Sequence, residues 1–265
     1  METGYACKHA LVTGASSGIG KAYAELLAAG GADLTVVARN EERLKELARD
    51  LLARHGSNVE ILKADLETRS ELARVEERLR DRADIDLLVN NAGYGHTGDF
   101  AGVPLDKAQG QIDCNIVALT RLTHAALTSM RAARRGGILN VASGAAFLPT
   151  PGMAVYAATK AYVLGFTQAL HEEVKSDGVR LSVVCPGFTR TEFQDRAKYD
   201  TRAIPGFAWQ TPEEVARESL AALAAGKIIC VPGAGNKVAM GIVGMIPRRA
   251  VAGLVARLSP RSSVH

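Results

Sequence analysis

Short aliphatic runs alternating with amphipathic helical patterns constrain this 265-residue chain more than any other feature. The runs Ala10–Val12, Leu34–Ala38, Val59–Lys63, Leu87–Asn90, Ile138–Ala142, Leu181–Cys185 and Ile228–Val231 read as strands. Their near-continuous apolar character suits strands covered on both faces. Between them, Gly18–Ala29, Glu41–His55, Ser70–Arg82, Leu105–Arg134, Val155–Ser176 and Pro212–Ala225 carry helical periodicity. Thr211-Pro212-Glu213-Glu214 supplies a capping hydroxyl, a first-turn proline and a capping-box glutamate, so the last of these helices has a defined start. Strands joined by helices predict an α/β fold, a single doubly wound Rossmann-type parallel sheet flanked by helices.

Composition agrees with one globular domain. Hydrophobic residues make up 47% and charged residues 23%, and the net charge of +4 is spread along the chain, which argues against a nucleic-acid partner. Cys7, Cys114, Cys185 and Cys230 stand singly and read as small core residues, not as a zinc site or a disulfide framework. The first residues lack a basic region followed by an apolar run, so a cytoplasmic location is expected.

The first strand runs into Thr13-Gly14-Ala15-Ser16-Ser17-Gly18-Ile19-Gly20 and then a helix. Bare amides and the positive end of a helix dipole would meet a pyrophosphate there. About 20 residues further on, an NAD-selective unit would present Asp or Glu to the ribose, whereas this chain presents Ala38-Arg39-Asn40. Arg39 can pair with a 2′-phosphate, and the missing acid removes a repulsion, so NADP(H) is the expected cofactor. Tyr156 and Lys160, spaced i and i+4, share a helix face. A neighbouring ammonium, together with the positive oxidised nicotinamide, is expected to draw the tyrosine pKa down from about 10 towards the working range.

Gly14/Gly18/Gly20, Asn90-Asn91-Ala92-Gly93, Asn115, Ser143 and Tyr156-Ala157-Ala158-Thr159-Lys160 occur in an order and spacing that resemble the short-chain dehydrogenase/reductase family. The resemblance covers roughly residues 8–232 and points towards bacterial ketoacyl-type reductases, with a similar lid entry at Pro186-Gly187-Phe188-Thr189-Arg190-Thr191. It implies that hydride moves between NADP(H) and a carbonyl or secondary alcohol without a metal. Tyr156 would exchange the proton and Ser143 polarise the oxygen. Lys160 would hold the nicotinamide ribose, and Asn115 a water in the proton path. Asp65-Leu66 would meet the adenine, Asn91, Ala92 and Gly93 would line the cofactor, and Pro186, Gly187, Thr189 and Thr191 would pass the carboxamide. Related enzymes are commonly homodimers or homotetramers.

The stretch 187–211 is expected to form an irregular substrate lid rich in aromatic residues, among them Phe188, Phe193, Tyr199, Phe207 and Trp209. With Ala145 and Phe147 before the catalytic tyrosine, Phe188 and Phe193 are candidate walls for a small hydrophobic substrate, whether ketoacyl or steroid. His96, close to the expected cofactor, is a further candidate substrate contact. A non-catalytic NADP(H)-sensing protein is the competing class; it would be expected to lose Ser143, Tyr156 or Lys160, and all three are present. Residues 1–236 form the expected catalytic domain, and 237–265 an apolar and basic extension too interrupted to span a bilayer. That extension could close over substrate, form a subunit interface, lie peripherally on a membrane, or simply pack on the domain.

Overall fold

The computed structural model describes residues 5–81, 84–202 and 204–245. Strand β1 (His9–Thr13), helix α1 (Gly18–Ala29), β2 (Asp33–Ala38), α2 (Glu41–His55), β3 (Val59–Lys63), α3 (Arg69–Asp81) and β4 (Leu87–Asn90) make up the first half. Helix α4 (Leu105–Ile112) leads through a π turn at Asp113–Ala118 into α5 (Leu119–Ala133) and β5 (Gly136–Val141). A 3-10 turn at Gly144–Phe147 precedes α6 (Ala154–Val174) and β6 (Val179–Val184). The chain closes with β7 (Phe188–Thr189), α7 (Phe193–Ala197), β8 (Trp209–Gln210), α8 (Pro212–Ala224), β9 (Ile229–Cys230) and α9 (Ala234–Met245).

Seven strands form one parallel sheet in the order β3-β2-β1-β4-β5-β6-β9, the doubly wound arrangement expected. The strand order reverses between β1 and β4, and a crevice opens at their carboxyl ends, where such sheets bind ligands. Successive strand side chains face opposite sides. Thus Val12 and Val36 join Tyr23, Leu27, Leu44 and Leu220 on one face, while Leu11 and Val37 join Leu72, Leu79 and Leu122 on the other. Each of these leucines contributes about 1.5–3 kcal/mol by burial, which is why both faces carry helices. A buried polar chain crosses under the second half: Asn90 Nδ2 donates to Thr123 Oγ1 and Asn140 Oδ1, and Asn140 Nδ2 donates to Thr167 Oγ1.

Three elements depart from the sequence reading. The single helix expected over 105–134 is interrupted by the π turn. The lid is ordered: β7 and β8 pair in parallel, and α7 lies between them. The division expected after residue 236 falls within α9, and the remainder of the expected extension, 246–265, lies outside the described residues. Among the described residues no helix is long and apolar enough to cross a membrane, and no cluster of residues suited to a metal is found.

Candidate active site

The floor of the crevice is the turn from β1 into α1. Gly14 and Gly18 have φ of +67° and +55°, values an L side chain rarely adopts. A Cβ on Gly20 would stand 2.2 Å from the Gly14 carbonyl oxygen, so the third glycine is required by backbone contact. Ser17, the residue before α1, makes no side-chain capping bond, and the first turn carries no acid. The leading amides of α1 are therefore available to an anion, which fits the pyrophosphate of a dinucleotide. Ser16 and Ile19 flank the turn, half-buried, with Ile19 packed on the core.

One buried hydroxyl ties this floor to the opposite wall. Thr13 Oγ1 donates to Val89 O and accepts from the amides of Asn91 and Ala92, each at 3.0 Å. Asn91 Nδ2 returns to Thr13 O at 2.9 Å. Gly93 comes next, and a Cβ there would lie 2.8 Å from Asn115 Oδ1 and 3.2 Å from Lys160 Nζ. The glycine is thus the point at which the loop after β4 meets Asn115 and Lys160.

Asn115 sits inside the π turn and is almost fully buried. Its Oδ1 accepts from Tyr94 N, while its Nδ2 donates to Tyr94 O and Thr159 Oγ1, all at 3.0–3.1 Å. Wide turns of this kind, which displace a side chain from regular helical register, are frequent at functional sites. Here the turn lets one carboxamide fasten the loop after β4 to helix α6.

Tyr156 and Lys160 share the buried face of α6, as their spacing predicts. Lys160 Nζ donates to Val141 O at 2.8 Å and lies 5.8 Å from the centre of the Tyr156 ring. Burial lowers the lysine pKa from its ordinary 10.5 to about 8. Burial also raises Tyr156 to about 12, opposed by a hydrogen bond from Ser143. In the protein alone loss of solvation prevails, whereas the expected downward shift rests on Lys160 acting together with an oxidised nicotinamide. Tyr156 is therefore a neutral phenol at physiological pH, in the form needed to donate a proton. Ser143 Oγ accepts from Ala145 N at 3.2 Å, which leaves its own proton free for the tyrosine or a substrate oxygen.

Around the tyrosine, Ala145, Met153, Phe193, Ala197 and Tyr199 form an apolar cluster, with the Phe193 ring 5.3 Å from that of Tyr156. Of the four expected apolar walls, Ala145 and Phe193 reach the tyrosine. Phe188 instead packs beside Tyr199 and Trp209. Phe147 lines a separate cleft of about 570 Å³ with Lys227, Ile229, Lys237 and Met240. His96 is half-buried beside Gly95, itself packed between Met153, Tyr156 and Phe193. Met153 is a site residue that the sequence reading missed; its position three residues before Tyr156 was the available signal.

At the far end of the crevice, Arg39 closes β2, with Nη1 at 3.8 Å from Asp65 and 3.7 Å from Glu67. Leu66 between those acids is buried. On the lid side, Gly144 N donates to Pro186 O, Thr189 Oγ1 donates to Gly187 O, and a Cβ on Gly18 would meet the Thr191 methyl at 3.0 Å. Thr191 therefore lies against the glycine floor, whereas the Thr189 side chain turns to its own backbone.

A parallel sheet with a glycine floor at its switch point, and buried Tyr156 and Lys160 beside a half-buried Ser143 opposite, defines a nucleotide-dependent oxidoreductase architecture. Comparison with known proteins narrows this: residues 8–202 match the family described as short chain dehydrogenase, and the chain belongs to that family of NAD(P)-dependent oxidoreductases. It is 34% identical over 219 residues to the 3-oxoacyl-[acyl-carrier-protein] reductase FabG of Chlamydia muridarum, covering 80% of this chain and 88% of that one. It is 36% identical over 185 residues to the human "inactive hydroxysteroid dehydrogenase-like protein 1", covering 69% of this chain but only 56% of that relative's length. A short-chain dehydrogenase from Sphingobium yanoikuyae, solved in complex with NADPH, is 36% identical with a TM-score of 0.82, covering 91% of this chain and 96% of that one.

Proposed function

We propose that this protein is an NADP(H)-dependent reductase of ketones, working reversibly as a secondary-alcohol dehydrogenase, with a hydrophobic or ketoacyl-type substrate. The observation that carries the reading is a protonated Tyr156, bonded to Ser143 and opening onto an apolar cluster. The reduced nicotinamide would supply the hydride. The Tyr156 hydroxyl then gives its proton to the carbonyl oxygen, and the Ser143 hydroxyl donates a hydrogen bond to that oxygen as charge develops on it. Lys160, which donates to Val141 O beside Gly93, would hold a ribose hydroxyl and support the tyrosinate left after transfer. In oxidation the same proton returns to the tyrosine.

The choice of NADP(H) rests on Arg39, a solvent-facing guanidinium at the end of β2 where an acid would favour NAD. Its ion pairs with Asp65 and Glu67 are loose, so a 2′-phosphate can draw the guanidinium away from them. Support also comes from the NADPH complex of the Sphingobium relative. Kinetics with NADPH and NADH, on the wild type and on Arg39→Asp, test the assignment. Preference should shift towards NADH in the variant; equal efficiency with both cofactors in both proteins would reject it. A panel of ketoacyl thioesters, hydroxysteroid ketones and small ketones tests the substrate class.

The likeness to a relative called inactive raises a second reading, a dinucleotide-binding protein without turnover. Here Ser143, Tyr156 and Lys160 are all present and mutually placed. NADPH consumption with any member of the panel decides between the two. A cytoplasmic homodimer or homotetramer belongs to the same proposal, with mass in solution as its check.

A further inference from the structure

Three consecutive lid residues reach three separate parts of the crevice. Thr191 lies on Gly18 of the floor and Phe193 on the ring of Tyr156. Between them Glu192 crosses to the opposite wall. Arg43 Nη1 donates to Glu192 Oε1 at 2.9 Å and Oε2 at 3.0 Å, joining residues 149 positions apart. Arg43 stands in the first turn of α2, its amide capped by Asn40 and its side chain four residues beyond Arg39. The pair therefore spans from the first turn of α2, which follows β2, to the start of the lid helix that follows β6.

We propose that Arg43 and Glu192 form a latch that holds the lid over a bound dinucleotide and sets how fast it leaves. The inference rests on the reading that the glycine floor holds a dinucleotide. Both side chains are near half exposure, so the pair is of the weak surface kind that opens and recloses easily. Arg196, one turn into the lid helix, also pairs with Glu192 and keeps the carboxylate on the lid side when Arg43 lets go. The hydrogen bond from Arg43, with the charge of Arg196 beside it, holds the Glu192 carboxylate below its usual range, so it stays ionised across physiological pH. Since Thr191 and Phe193 flank the latch residue, opening would lift the floor contact and the tyrosine contact together.

Arg43 and Glu192 are thus positioning residues, and the measurement is dinucleotide release. Bound NADPH or NADH would be displaced by a trap in stopped-flow fluorescence, for wild type, Arg43→Gln, Glu192→Gln and the double variant. Each single variant should release both dinucleotides faster by the same factor, about two- to fivefold, and the double variant no faster than either. Raising salt should accelerate release more from the wild type than from the variants, because only the wild type has the latch pair to screen in addition to the dinucleotide's own phosphate contacts. Unchanged release in both single variants would overturn the latch. So would a second pattern, in which Arg43→Gln weakens NADPH alone and Glu192→Gln slows NADPH release, because Arg43 would then be a phosphate ligand that Glu192 restrains. A wild type that binds neither dinucleotide would defeat the dinucleotide reading itself and the latch with it.

Discussion

Lys160 carries its charge where water cannot reach it, and the cost of this can be assigned a direction and a pH window. In the unfolded chain the amine titrates near its ordinary 10.5, but in the folded protein near 8. Between those values the unfolded state binds more protons, so stability rises with pH through this window; below about 8 the full penalty is present. That net penalty amounts to roughly 3 kcal/mol. Lys160→Met should therefore raise the melting temperature of the cofactor-free protein at pH 7, and the gain should shrink towards pH 9.5. An equal gain at both pH values, seen in thermal unfolding, would show that the lysine is not the cause. Tyr156→Phe keeps the ring against Phe193 but removes the proton donor. NADPH affinity should stay within a few-fold while carbonyl reduction drops by about 10²–10⁴; near-normal turnover would move the acid elsewhere.

Among the elements, the turn from β1 into α1 tolerates least. Gly20→Ala puts a methyl against the Gly14 carbonyl, so it should abolish NADPH binding measured by fluorescence titration, and lower thermal stability as well. By contrast, the start of α8 is structural: Thr211 and Glu214 form the reciprocal capping box expected there. Thr211→Ala should cost about 1 kcal/mol in denaturant unfolding and leave kcat/KM unchanged. These two sites were legible because their chemistry is local: glycine spacing and a capping tetrad act within one turn. Strands β3 and β4 were likewise found at their true bounds, β4 as a wholly buried aliphatic run flanked by polar residues and β3 as a half-exposed edge strand of mixed apolar and charged residues. The π turn at Asn115 was not legible, because one extra residue per turn leaves the apolar spacing of 105–134 nearly intact. Nor were β7 and β8, each two residues long and shorter than any periodicity. The burial of Tyr156 was not legible, because it depends on Phe193 and Met153 folding over the ring, which spacing on α6 does not show.

At the scale of the molecule, α9 lies near the 3-10 turn that follows Ser143, with Met240 close to Gly144 and Asn236 against Gly187. Truncation after Asn236 would remove most of this helix. It should lower turnover of bulky ketones more than of small ones while NADPH titration stays near normal; equal losses for both would confine α9 to packing.

The Thr13 hydroxyl, which grips the amides of Asn91 and Ala92 across the switch between the two halves of the sheet, has a consequence for the protein's slow motions. Those amides lie beyond the end of β4, where loop protons ordinarily trade with solvent within seconds. Their shared acceptor is buried on β1, and Asn91 N reaches Val89 O as well, so exchange is expected to follow the parting of β1 from β4, an event close to global unfolding. In deuterium oxide the two should rank with the central strands among the last protons lost. The seam between the halves would then have no independent opening.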